Sequence, residues 1–190
     1  MGYNIIGVVG PFASGKGIVA DYLIKKHGYT SFSLSSIVHD ELKKREITSF
    51  TRTTLQNIGD ELRRLEGDGV LARRAVALLK EKGIEKIVIE GIRNPGEVTY
   101  LRKLPGFLLI AVDASQKIRY QRVIARRKPW DPTDWETFIK VDERDQEDKK
   151  NSNGQQVRAC MELADVTIQN NSDKNSLYKE TKKAIGLHPA

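Results

Sequence analysis

The chain is poor in sulfur and has no long hydrophobic run. One cysteine, Cys160, among 190 residues excludes an internal disulfide and a thiolate metal cluster. It points to a reduced, cytoplasmic setting. The longest apolar run, Phe107 to Val112, falls far short of the roughly 20 residues a membrane-spanning helix needs. A secretory leader is not expected, because Ile5, Ile6, Val8 and Val9 follow an uncharged start and soon meet a polar loop. The opening Met-Gly lacks the Ser or Thr of a myristoylation signal, since Ile6 stands in that place. Internal repeats, low-complexity tracts and an Asn-Lys-x-Asp guanine motif are missing too, and the last counts against a GTPase. Aromatic residues make up 7% of the chain, and only Tyr120 and Trp130 flank its most basic helix. Binding of single-stranded nucleic acid calls for more stacking platforms than that.

What is present fits one globular domain. At 190 residues, with 39% hydrophobic and 30% charged side chains, the chain is long enough to bury a core and too apolar for general disorder. Basic residues exceed acidic ones by 32 to 25, a net charge of +7. That excess suits either nucleic acid or a small anion such as a nucleotide phosphate. Its distribution favours the anion. Residues 115–130 carry six basic side chains and no acidic one, whereas residues 131–150 carry eight acidic and four basic. A basic helix followed by a mixed-charge segment looks like a local phosphate site with a polar flap.

Strand and helix patterns alternate. Apolar, β-rich runs at Asn4–Val9, Tyr29–Leu34, Lys86–Ile89, Phe107–Val112 and Asp165–Gln169 predict five strands. Helical spacing predicts helices over Gly15–His27, from Ser35 or Ser36 to Arg45, over Val70–Lys82, from Pro95 to Lys103, over Ser115–Lys128 and over Asp173–Ile185. Thr53 and Gln56 have the spacing of a capping box ahead of Leu55, Ile58 and Leu62. Near-continuously apolar strands separated by helices mean a parallel sheet covered on both faces. The fold class is therefore α/β, a three-layer αβα sandwich around a five-stranded parallel sheet. Only Lys128 to Asn153 breaks the composition, with little apolar content, and it reads as a mobile lid.

The segment Gly10-Pro-Phe-Ala-Ser-Gly15-Lys16 matches G-x-x-x-x-G-K directly after a predicted strand and at the head of a predicted helix, the context a phosphate loop requires. Glycines let successive backbone N–H groups turn inward toward phosphate oxygens. The helix N-terminus adds roughly half a positive charge, and Lys16 adds a full one. The standard loop continues with Ser or Thr to hold Mg²⁺; here Gly17 and Ile18 follow. Direct hydroxyl ligation from this turn is absent, and Ser14 is wrongly placed to supply it. A magnesium ion held mainly by water and phosphates is expected.

With these residues the chain resembles the nucleoside monophosphate kinase group of P-loop proteins along nearly its whole length. It is most similar to the kinase-like module joined to some deoxycytidylate deaminases, and more distantly to dephospho-CoA kinases. Besides the Gly15-Lys16-Gly17 turn, two motifs carry the likeness. Ile87-Val-Ile-Glu90-Gly91-Ile92-Arg93 resembles the adenylate kinase Asp-Gly-(Phe/Tyr)-Pro-Arg, with Arg93 one position early. The resemblance implies that Arg93 grips the acceptor phosphate and that Glu90 orders magnesium-bound water. Arg122-Val-Ile-Ala-Arg126-Arg127 resembles the arginine motif that opens the adenylate kinase lid. There the first arginine, here Arg122, packs on the donor adenine, and the second, here Arg126, reaches the transferred phosphate. Arg144 and Arg158 resemble returning lid arginines, and Asn170-Asn171-Ser172 stands where the family's backbone meets adenine.

The resemblance therefore implies ATP and Mg²⁺ as cofactors and phosphoryl transfer to a small nucleotide acceptor. Lys16, Arg93 and Arg126 are the catalytic candidates. Gly10, Ala13, Ser14, Gly15, Lys16, Gly17, Ile18, Arg122 and Asn171 are the candidates for binding ATP. A P-loop core of 1–34, 84–127 and 154–190 is expected, with an acceptor-binding segment over about 35–83 and a lid over about 128–153. One departure concerns the acceptor: Ser36-Ile37-Val38-His39 places His39 where the family has a phosphate-binding arginine, leaving Arg52, Arg63 and Arg64 to compensate. A dephospho-CoA kinase-like enzyme and a non-catalytic nucleotide sensor are the rival readings.

Overall fold

Five short parallel strands lie side by side in the order β2-β3-β1-β4-β5. They are β1 (Ile5–Val9), β2 (Thr30–Ser33), β3 (Ile87–Glu90), β4 (Phe107–Asp113) and β5 (Val166–Gln169). The computed structural model describes residues 4–127, 131–147, 151 and 153–186. Lys128, Trp130 and the side chain of Arg52 lie outside the described residues.

The strands are apolar on both faces because both faces are covered. Along β1, Ile6 and Val8 join one core while Val9 joins the other; along β4, Leu108, Ile110 and Val112 part from Leu109 and Ala111 in the same way. This is the period-two alternation of a pleated strand, with apolar residues at both phases. Gly7 leaves no room for more: a Cβ there would stand 2.9 Å from side-chain carbons of both Ile92 and Leu109.

Helices α1 (Lys16–His27) and α9 (Lys174–Gly186) pack on one face. The other face carries α2 (Ser35–Lys44), α3 (Arg52–Glu66), α4 (Val70–Glu81), α5 (Pro95–Leu101) and α8 (Val157–Glu162). Helix α6 (Gln116–Arg126) leads into α7 (Trp135–Gln146). Helix α1 stops where Gly28 turns left-handed at φ 69° and its N–H reaches back to Ile24 and Leu23, a turn that glycine makes without a Cβ penalty. Among the described residues, no helix is long and apolar enough to cross a membrane.

Two features differ from the sequence expectation. The capping box of α3 is formed by Thr51 and Thr54, not Thr53 and Gln56. Gln56 instead turns inward, where its amide donates to Asp145 at 2.8 Å. The acidic segment after residue 130 holds a full helix, α7, capped by Asp134, whose carboxylate accepts from the Thr137 N–H at 2.8 Å. Its apolar content is low because ion pairs and one aromatic anchor it. Asp142 and Asp145 are buried, and Phe138 is fully buried among Phe12, Tyr120 and Trp135.

Candidate functional site

The phosphate loop runs from the carboxyl end of β1 to the head of α1, at the edge of the sheet where ligands bind in open α/β folds. Its backbone takes left-handed or positive-φ turns at Gly10 (153°), Ala13 (60°) and Gly15 (109°). At Gly10 a side chain is excluded by space as well, because a Cβ would lie 2.0 Å from the Val112 carbonyl.

Three side chains pull the loop carbonyls outward. Arg119 Nη1 donates to the Phe12 carbonyl at 3.1 Å. Arg122 Nη1 donates to that of Ser14 at 3.1 Å, and Asn170 Nδ2 to the same oxygen at 2.7 Å. In a trans peptide the C=O and the following N–H point opposite ways. Drawing the Phe12 and Ser14 carbonyls outward therefore aims the Ala13 and Gly15 N–H groups into the loop. Gly15 caps α1 without a side-chain acceptor, so the helix N-terminus keeps its polarity for an anion. Lys16 lies across the loop, its ammonium donating to the carbonyls of Gly10 and Pro11 at 2.7 and 2.8 Å. The Ser14 hydroxyl is fully buried with no hydrogen-bond partner among the described residues. An oriented cradle, a lysine and an orphaned hydroxyl together fit a nucleotide polyphosphate.

For magnesium, a carboxylate stands near the loop in Glu90, at the end of β3. A Cβ on Gly17 would lie 4.0 Å from Glu90 Oε2. The space that a Ser or Thr hydroxyl fills in the standard loop is thus flanked by a carboxylate from the next strand. Ser31 Oγ donates to the other oxygen of Glu90 at 3.3 Å. No cluster of three potential ligands occurs among the described residues, so this donor set suits a magnesium ion that keeps most of its waters.

Next to the loop lies a cavity of about 440 Å³ between Phe12, α2 and α3. Val38, Phe50, Leu55 and Leu71 give it apolar walls, and Arg93, Arg126, His39 and Gln155 are polar along it. Arg93 follows the left-handed Gly91 (φ 79°). Its backbone N–H is fixed by Glu97 Oε2 at 2.7 Å, and that carboxylate also accepts from the Asn94 N–H to complete the capping box of α5. Arg126 lies with its guanidinium 4.7 Å from the centre of the Phe12 ring. The His39 ring meets Phe50 edge-on at 5.3 Å.

The sequence-derived residues do not all gather at one point. Gly10 to Gly17, Glu90, Arg122 and Arg126 converge on the loop, and Arg93 and His39 on the adjoining cavity. Ile18 packs into the core beneath the loop. Arg122 is half-buried, and that burial depresses its proton affinity. Its donors are engaged by Ser14 and by the Asn170 carbonyl at 2.9 Å. The Asn171 side chain accepts from the Ser115 N–H at 2.8 Å, at the head of α6, so its neighbour Asn170 is the one whose side chain touches the loop. Arg63 is buried against Glu97 and Asp60. Arg64, Arg144 and Arg158 line a separate polar groove between α3 and α7. Sequence reasoning missed Arg119, Phe12 and Gln56 as site residues, and placed Asn170 there only through its backbone. A basic side chain one turn into α6 was visible, but its target lies 107 positions away.

A family model for the AAA domain matches residues 6–153. A UPF0200 protein of Pyrococcus horikoshii is 30% identical over 188 residues, covering 95% of each chain. Another, of Methanothermobacter thermautotrophicus, is 33% identical over 147 residues, covering 76% of this chain and 73% of that one. Among solved structures, shikimate kinase from Aquifex aeolicus matches 96% of both chains with a TM-score of 0.53 at 14% identity. TT1252 from Thermus thermophilus matches 100% of both with a TM-score of 0.54 at 20% identity. The fold is thus that of P-loop kinases, a parallel sheet with the phosphate loop after its central strand. By the sequence matches along most of the chain, this protein, with its cradle of residues 10–16, belongs to the AAA-domain family and to the UPF0200 proteins.

Proposed function

We propose that the chain transfers the γ-phosphoryl group of ATP to the phosphate of a nucleoside or deoxynucleoside monophosphate, or of a closely similar nucleotide. The observation that carries the reading is the cavity beside the phosphate loop, where Arg93 and Arg126 share walls with Val38, Phe50, Leu55 and Leu71. Such a surface suits a ligand with an anionic end and a flat apolar body. Bound ATP supplies the transferable phosphoryl group, and its magnesium ion offsets negative charge.

The protein has little covalent chemistry to perform; positioning and charge neutralisation are its tasks. Lys16 would leave the loop carbonyls for the β- and γ-phosphates. Arg126 would neutralise the moving phosphoryl group and Arg93 would align the acceptor. Glu90 would hold magnesium-bound water. A phosphate oxygen is already nucleophilic, so no general base is required. The segment around α7 would exclude water, which limits wasteful hydrolysis of ATP.

The test is a panel of nucleoside and deoxynucleoside monophosphates plus dephospho-CoA, incubated with ATP and Mg²⁺ and read by product detection. A nucleoside diphosphate product is expected; hydrolysis of ATP without transfer to any acceptor would reject the reading. A hydroxyl acceptor is the second reading, dephospho-CoA included. It is favoured by the Glu90 carboxylate beside the loop, which offers the general base that a hydroxyl needs, and by the likeness in fold to shikimate kinase. Phosphorylation of dephospho-CoA alone would select it. Tight ATP binding with no transfer at all would select a nucleotide sensor.

A further inference from the structure

Two of the cavity arginines, Arg126 and Arg93, each contact a buried aspartate from the segment that follows α6. Arg126 gives Nε and Nη2 to Asp131 at 2.6 and 2.9 Å. Arg93 gives Nη1 to Gln155 at 2.7 Å and lies 3.3 Å from Asp145. The two aspartate side chains are each only 2% exposed, whereas the arginines are 33% and 31% exposed. The carboxylates thus sit on the protein side, and the guanidinium groups face the opening.

A guanidinium presents five N–H groups in a rigid plane. A carboxylate on the Nε–Nη2 edge leaves the Nη1–Nη2 edge for a second bidentate partner, and that fork matches phosphate geometry. Among the described residues nothing accepts a hydrogen bond from Nη1 of Arg126. The face of the same guanidinium rests on Phe12, so its plane is fixed as well as its edge. Asp145 is itself held, by the amide of Gln56 at 2.8 Å.

We propose that Asp131 and Asp145 are positioning residues for phosphoryl transfer. Asp131 acts through Arg126, locking one edge so that the opposite edge meets phosphate oxygens, and Asp145 acts through Arg93, holding its Nη1 together with Gln155. The proposal rests on the kinase reading above. A long, flexible arginine loses rotamer freedom when it engages a phosphate, and a buried carboxylate imposes that loss before the nucleotide arrives. The competing idea, that the carboxylates block the arginines until phosphate displaces them, makes the opposite prediction for binding.

The experiment uses the full chain, with thermal unfolding as a folding control and single-turnover kinetics with ATP–Mg²⁺ and the acceptor the panel identifies. Asp131→Asn should lower kcat on the order of 10- to 100-fold while KM for ATP moves less than about threefold, the signature of lost alignment. Asp131→Glu should recover part of the rate. In an Arg126→Ala background, Asp131→Asn should add no further loss, because the group it orients is gone. Asp145→Asn should behave likewise with Arg93→Ala. Unchanged kcat, tighter ATP binding on loss of the carboxylate, or a full extra loss in the Arg126→Ala background would overturn the positioning role. Should Asp131→Asn not fold, Asp131→Glu and the Arg93–Asp145 cycle carry the test. An active wild type with unaffected variants defeats this proposal alone; a wild type inactive on every acceptor defeats the kinase reading and this proposal with it.

Discussion

Asp142, in the middle of α7, grips Arg119 of α6 with both carboxylate oxygens, one contact at 2.8 Å, and both side chains are buried. Arg119 also donates to the Phe12 and Ala114 carbonyls. One ion pair thus joins the acidic helix to the phosphate loop. Asp142→Ala leaves a buried guanidinium without its counter-charge, a loss of about 3–5 kcal/mol. Chemical denaturation should show that drop, and ATP affinity should fall with it as Phe12 loses its anchor.

Lys16→Ala should abolish phosphoryl transfer, by at least about 10³-fold on the scale of charges that stabilise this transition state. The ammonium donates to the loop carbonyls of Gly10 and Pro11, and the protein is expected to stay folded without it, which thermal unfolding checks. Full activity in that variant would reject the assignment of the loop.

Gly15→Ala tests the cradle itself. The new Cβ would stand 2.2 Å from Asn170 Nδ2, at a φ of 109°. The backbone strain alone is about 1–2 kcal/mol, and displacing Asn170 would release the Ser14 carbonyl. ATP binding by calorimetry should be lost. A second change, Asn170→Ala, should relieve the clash but not the φ strain, restoring stability only in part.

On the proposed reading, the cavity holds the acceptor apart from the donor. Leu55→Trp would fill it, raising KM for the acceptor at least about tenfold while leaving KM for ATP in place, the pattern of lost acceptor binding. Arg126→Ala should instead lower kcat more than ATP affinity. Weakened ATP binding with normal kcat in that variant would reject its place at the moving phosphate.

The head of α7 responds to acid. The Thr137 N–H and hydroxyl hold the Asp134 carboxyl below the usual aspartate range. A depressed carboxylate contributes stability above its unfolded value, near 3.9, and loses it as pH falls through the folded value. Thermal midpoints measured downward from about pH 5 should fall more steeply for the wild type than for Asp134→Ala.

The phosphate loop and the strands were legible in the sequence because their signals are local. A glycine–lysine spacing, an apolar run and a helical period each sit within a dozen residues. Helix α7 was not legible as a packed element. Its buried face is one phenylalanine and two aspartates, and acidic residues read as solvated until their partners are known. The α3 cap was misplaced by two residues for a similar reason. Thr53 and Gln56 have the right spacing, but Gln56 is drawn inward by Asp145, 89 positions away.

By itself, the sequence determined that a parallel α/β sheet would carry an anion-binding turn near its start, since main-chain geometry at Gly10 and Gly15 and the charge of Lys16 are written in neighbouring residues. Only the tertiary structure decided which side chains turn the loop's N–H groups inward, which arginines face the cavity and which are bound to carboxylates. Those outcomes depend on the order β2-β3-β1-β4-β5, which brings residue 14 against residue 170 and residue 93 against residue 145. Contacts across such separations follow from how helices and strands pack, and no local pattern encodes them.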